Sequence, residues 1–126
     1  MSNSNPTPES VAQLQLEAFN SRDLEALLAI YADEAEMFEH PSKLVARGTA
    51  DLRARFISRL AEPNLFANLI HRVVVGNTVV DHEIVTRSFP EGPGTLELVM
   101  IYEVKDGRIA KAWSIPGEKR LASKLE

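Results

Sequence analysis

The sequence contains no cysteine, which excludes disulfides, thiolate nucleophiles and cysteine-ligated metal centres. It has no apolar run of about 18 residues to span a membrane, and no basic-then-apolar leader of the secretory kind. Positive charge is the minority sign, with 14 Lys and Arg against 18 Asp and Glu for a net charge of −4. No basic stripe is present to displace counterions from a nucleic-acid backbone. Gly-rich phosphate loops, nucleophile elbows and HExxH helices are also missing. These absences leave the expectation of a cytoplasmic protein with no cofactor, no nucleic-acid partner and no membrane association.

What is present fits a single domain over residues 1–126, long enough to bury a core without staples. Residues 1–6, mostly small and polar, are expected to be disordered. Thr7-Pro8 is a helix start, a hydroxyl cap before proline at the first helical position. Val11, Leu14, Leu16, Ala18 and Phe19 supply that helix with an apolar side, broader than one clean stripe. A second helix, capped by Ser21 or Asp23, buries Leu24, Leu27, Leu28 and Tyr31. An acidic corner at Asp33-Glu34 leads into a short strand that stops at Pro41. A polar loop with Gly48 precedes a third helix opened at Thr49 and carrying Leu52, Phe56, Ile57 and Leu60. Arg53, Arg55 and Arg59 read as its solvated face.

From Leu65 the period becomes strand-like. Leu69–Val75 and Thr78–Arg87 flank Gly76-Asn77, a strong two-residue hairpin signal. That turn fixes pairing, with Arg72 opposite Asp81 and His71 opposite His82. His71, Val73, Val80, His82 and Ile84 then share one face, expected to look inward. Asp81 and Glu83 fall on the other, expected to form a charged outer face with Arg72 and Arg87. A second hairpin runs from Thr95–Val104 through Lys105-Asp106-Gly107 to Arg108–Ile115, and Pro116-Gly117 is expected to end the sheet before an exposed tail. Leu96, Leu98, Met100 and Tyr102 lie on one face and Val99 and Ile101 on the other. Ile109, Trp113 and Ile115 share a face of the last strand. Both faces are thus apolar at this end; helices can cover one, and a second copy of the chain is the simplest cover for the other. The expected homodimer interface carries Val99, Ile101 and Trp113.

Helices followed by antiparallel strands define an α+β fold. Asn20-Ser-Arg-Asp-Leu24, Tyr31-Ala-Asp-Glu-Ala35, Glu39-His-Pro41, Gly48-Thr-Ala50 and Gly107-Arg-Ile through Gly117-Glu-Lys119 resemble the NTF2-like (SnoaL-like) superfamily, and by motif ketosteroid isomerase. The resemblance implies a cone of three N-terminal helices packed on a curved antiparallel sheet, with dimers through the outer sheet face. It puts His40 in the position of the general base, with Glu39 as the alternative. Ketosteroid isomerase pairs its Asp base with an oxyanion hole made of a Tyr and a protonated Asp. Those two positions fall at Gln15 and Met100, so efficient steroid isomerisation is not expected.

His40 suits acid–base work because imidazole titrates near neutrality. His71 and His82 are candidate partners in a proton relay. They do not amount to a metal site, since a third ligand would have to be placed in space. The expected pocket is apolar and takes a small hydrophobic molecule, with Gln15, Phe38, Phe56, Met100, Tyr102, Ala112 and Ser114 as its lining. Proton transfer next to a carbonyl (isomerase, cyclase or dehydratase chemistry) and non-catalytic small-molecule binding both fit these residues, as does a dimerisation module with an incidental pocket.

Overall fold

The structure, a computed structural model, describes residues 6–122. The elements run α1 (Pro8–Asn20), α2 (Leu24–Ile30), β1 (Tyr31–Glu39), β2 (Lys43–Arg47), α3 (Gly48–Leu60), β3 (Phe66–Val75), β4 (Thr78–Phe89), β5 (Gly92–Lys105) and β6 (Arg108–Leu121). The three helices pack on one side of a six-stranded sheet of order β2-β1-β6-β5-β4-β3. Every neighbouring pair is antiparallel except β1 and β6, which run parallel. This is an α+β arrangement of helices on one face of a mostly antiparallel sheet, as the resemblance implies. Among the described residues no helix is long and apolar enough to cross a membrane.

Local chemistry sets the helix ends. The Thr7 hydroxyl accepts from the Ser10 amide at 3.1 Å, and the Asp23 carboxylate caps α2 by accepting from Ala26 at 3.1 Å. At α3 the Asp51 carboxylate, in the first turn, reaches back to accept from the Arg47 amide at 3.0 Å, satisfying the N-cap amide from the fourth helical position. The turn between α1 and α2 is tied to distant chain. Asn20 donates to the Ala67 carbonyl at 2.9 Å and accepts from its amide at 2.8 Å, fixing α1 to β3. Arg22 donates to the carbonyls of Leu60 and Glu62 at 2.7 and 2.6 Å, closing the C-terminal end of α3.

The core lies between the helices and the sheet, around Val11, Leu27, Leu52, Val79, Tyr102 and Ile109. The hairpin register is the one fixed by Gly76-Asn77: Arg72 pairs with Asp81 and His71 with His82. The inward face is the reverse of that expected. Val79, Asp81, Glu83 and Val85 are buried, while His82 and Ile84 face out and are half-buried. Asp81 tolerates burial because Arg72 Nε and Nη2 donate to its two oxygens at 2.6 and 2.9 Å, and Arg72 Nη1 donates to Gln13 at 3.0 Å.

Other departures have equally local causes. Lys43–Arg47, expected to be loop, is the edge strand β2, paired on one side only with β1. A bulge shifts the register between Glu103 and Val104, so Ile109 pairs with Val104 and points into the core rather than sharing the face of Trp113. Pro116-Gly117 does not end the sheet, since β6 pairs with β5 as far as Leu121. A second bulge there brings the Glu97 side chain over Gly117, where an added Cβ would lie 2.9 Å from a Glu97 oxygen. Leu14 and Ile57 are exposed, and Gln15 is buried instead. The expectation of disorder over residues 1–6 lies, for residues 1–5, outside the described residues, as does the tail beyond residue 122.

Candidate functional site

Between the helices and the inner face of β4 and β5 lies a cavity of about 530 Å3. Its apolar wall is built by Leu96, Leu98 and Met100 of β5, Val85 of β4, and Phe56 of α3. Strand alternation explains the wall, because β5 residues two apart share a face and register places Glu83 against Leu98 and Val85 against Leu96.

Polar groups enter from several elements. Tyr102 Oη donates to Gln15 Oε1 at 2.9 Å, and Gln15 Nε2 donates to Tyr31 Oη at 3.5 Å. In this chain the amide of Gln15 spends both ends on hydroxyls. Tyr31 accepts from Gln15, and its own proton has no acceptor among the described residues. Burial is the main reason that both phenols are raised above the ordinary tyrosine range, so both stay protonated donors at neutral pH.

Glu83 is the titratable group that sequence reasoning placed wrongly. It is 4% exposed, lines the cavity, and has no hydrogen-bond donor among the described residues. Burial, and then the negative charge of Asp81, push its carboxyl up to about 7, with Arg72 opposing. Asp81 is engaged by Arg72; Glu83 faces the cavity. The signal that could have found it was the in-register pairing of β4 with the apolar face of β5.

On another flank stand Arg55 and Arg59 of α3 and Arg87 of β4, all lining the cavity. The expectation of a solvated face holds for Arg53, which pairs with Glu25 at 2.7 Å on the surface, and for the exposed Arg55, although Arg55 and the half-buried Arg59 also border the cavity. Arg87 is not on an outer face but donates to both oxygens of Glu62 at 2.8 Å. Burial opposes ionisation of Glu62, yet the bonds from Arg87 and the Ser88 amide outweigh it and hold that carboxyl below its ordinary range.

Of the residues singled out from sequence, His40, Gln15, Phe56, Met100, Tyr102 and Ser114 line the cavity. His40 is exposed at its edge, held through its amide, which donates to the Ser114 carbonyl at 2.9 Å. His71 and His82 do not reach the cavity. They lie on the outer face, where His82 Nε2 meets a Glu97 oxygen at 2.8 Å. Phe38 is also outside, stacked on Trp113 with ring centroids 5.5 Å apart. Ala112 is fully buried in the core and is not part of the lining. Among the described residues no group of three or more His, Asp or Glu is clustered as a metal site.

Solved structures of the same shape include an uncharacterized cystatin fold protein from Novosphingobium aromaticivorans. It is 20% identical, covers 88% of this chain and 99% of its own, and has a TM-score of 0.80. IdmH from Streptomyces antibioticus, described as a proposed polyketide cyclase, is 22% identical over 88% of this chain and 92% of its own, with a TM-score of 0.74. AclR from Streptomyces galilaeus, described as a proposed hydroxylase, is 17% identical over 87% and 78%, with a TM-score of 0.75. At these identities the likeness concerns the α+β fold. No protein of curated function matches the chain. The family model described as SnoaL-like domain matches residues 12–112, and the chain belongs to that family.

Proposed function

We propose that the chain acts as one cone-shaped NTF2-like domain, in the cytoplasm, whose cavity takes a small, largely hydrophobic carbonyl compound and moves a proton next to the carbonyl. The observation that carries this reading is the Glu83 carboxyl, 4% exposed in an apolar cavity wall, where burial pushes it up to about 7. In the reaction a carboxylate oxygen of Glu83 takes the proton from the α-carbon. The C–H electron pair moves into the new carbon–carbon double bond and the carbonyl pair onto oxygen. The Tyr31 hydroxyl, its proton unspent, donates to that enolate oxygen. In a β,γ-unsaturated substrate, return of the proton from Glu83 to the γ-carbon of the dienolate gives the conjugated isomer, whereas attack of the enolate carbon on a second carbonyl of the same molecule closes a ring, the new alkoxide taking the proton back from Glu83. The description of IdmH as a proposed cyclase is compatible with the second outcome. His40, exposed at the cavity edge, is the acid–base group in contact with solvent and serves as a second acid–base residue, while the buried Glu83 is the central one.

The test is hydrogen–deuterium exchange at the α-carbon of 2-tetralone in D2O, followed by NMR. The expected result is exchange faster than in buffer alone, rising with pH through about 7 as Glu83 ionises, and lost in Glu83→Gln. Exchange no faster than buffer across that range would contradict catalysis and leave non-catalytic binding as the better reading.

A homodimer through the outer sheet face belongs to the same proposal. Its support is a row that crosses all six strands in register: Leu44, Phe38, Trp113, Ile101, Val80 and Val73. Leu44 and Val73 at its ends are 48% and 44% exposed. Val99 and Ile115 continue the apolar surface one row further. An apolar band of this kind fits a second copy of itself.

A further inference from the structure

One flank of the cavity holds more positive charge than its own carboxylate neutralises. Arg87 and Arg59 share Glu62, Arg87 through two bonds of 2.8 Å and Arg59 at 3.4 Å. Arg55, one helical turn before Arg59, lines the same cavity and has no carboxylate within salt-bridge distance among the described residues. Three guanidinium charges against one carboxylate leave two in excess. The other carboxylates of the lining are engaged or placed elsewhere: Glu39 is 3.9 Å from Lys43, and Glu83 stands on the β4 wall.

Helix stability does not account for the set. Arg59 in the last turn of α3 does meet the negative end of the helix dipole. Arg55 lies a turn earlier, and Arg87 comes from the sheet. The crowding has a cost that is visible in the guanidinium of Arg59. Burial and then the like charges of Arg87 and Arg55 make it harder to protonate, with Glu62 opposing. An unpaired guanidinium at the rim, Arg55, next to the partly buried Arg59 and beside an apolar wall is an arrangement that recognises an anion on an apolar body.

We propose that Arg55, Arg59 and Arg87 form an anion subsite, so that the preferred ligand carries a carboxylate at one end and an apolar body that lies against Leu96, Leu98 and Met100. This rests on the reading of the cavity as a ligand site and adds the chemical class of the ligand. The carboxylate would be held by Arg55 and Arg59 in the first place, since Arg87 is already bidentate on Glu62.

The experiment compares 2-naphthylacetate with 2-naphthylacetamide, two probes of nearly equal size, one with an anionic and one with a neutral head group, by titration calorimetry at low salt. The expected result is a preference for the carboxylate of at least about tenfold, the usual scale of a charge-assisted bond over a neutral one. Arg55→Gln and Arg59→Gln should each reduce that preference several-fold while leaving affinity for the carboxamide unchanged. Arg55 is exposed, so its variant tests the idea even where Arg59→Gln folds poorly. Equal binding of the two probes overturns the anion subsite and leaves the ligand cavity standing. Binding of neither overturns both. Inorganic phosphate binding more tightly than the carboxylate overturns the assignment to a carboxylate.

Discussion

Glu83→Gln should make the protein more stable at pH 8 and leave its stability at pH 5 nearly unchanged. Burial favours the neutral carboxyl, so the folded chain holds a proton up to about 7 that the unfolded chain has released near 4.5. Between those values the folded state binds more protons than the unfolded one, and stability therefore declines as pH rises. The contribution is complete below 4.5 and gone above about 7. At about 1.4 kcal/mol per pH unit, the interval is worth about 3 kcal/mol. Glutamine keeps the shape and cannot ionise, so the variant escapes that loss; about 3 kcal/mol is a ceiling, because the amide must also find partners. The other shifted carboxylates do not obscure the effect. Glu25 and Glu91 are held low by Arg53 and Lys119, and Glu62, despite its burial, by Arg87 with the Ser88 amide, so their shifts run below this window. The three histidines are common to both proteins and cancel in the difference. Urea denaturation of both proteins at pH 5, 6, 7 and 8 gives the curve directly. A stability difference constant within about 0.5 kcal/mol across that range would refute the placement of an unneutralised carboxyl in the cavity wall.

Four further outcomes follow from the packing. Asp81→Asn strands the Arg72 guanidinium, which is 11% exposed, and should cost about 3–5 kcal/mol in urea denaturation. Gly94→Ala would drive a Cβ into the backbone carbonyl of Arg120 on the paired strand, and should cost about 1–3 kcal/mol in the same assay. Tyr31→Phe should leave the fold stable to within about 1 kcal/mol yet slow 2-tetralone exchange by about a hundredfold, since it removes only the donor aimed at the enolate. If the proposed dimer forms, Trp113→Asp, which places a charge in the middle of the outer apolar row, should leave only monomers in analytical ultracentrifugation where the unaltered protein sediments as a dimer.

The sequence carried the pairing of this protein better than its sidedness. Gly76-Asn77 sets the register of the first long hairpin, and every pair from Val75–Thr78 to His71–His82 follows from it. Alternation is symmetric, however, and does not say which face is inside. The face with His71, Val73, Val80 and Ile84 looks apolar and the face with Arg72, Asp81 and Glu83 looks charged, so simple burial reasoning turns the strand the wrong way. The charge on the inner face is largely self-cancelling, since Arg72 neutralises Asp81 and Gln13 takes the remaining guanidinium donor. Only Glu83 stays unneutralised. The face of β5 was legible from Leu96, Leu98, Met100 and Tyr102, and pairing Glu83 with Leu98 would have brought it into the cavity. The bulge that turns Ile109 inward leaves no mark in composition, and β2 is short, charged at both ends and paired on one side. The family resemblance reached the fold and several lining positions, including Gln15 and Met100. It did not reach Glu83 or the arginine flank, which depend on contacts distant in sequence.

The most direct test of the account is a carbon-13 NMR titration of the Glu83 carboxyl, assigned by its absence in Glu83→Gln and repeated with 2-naphthylacetamide bound. The account predicts a midpoint near 7 in the free protein, moving upward when the neutral probe displaces water from the cavity. A midpoint in the ordinary glutamate range, near 4.5 and indifferent to the probe, would contradict it.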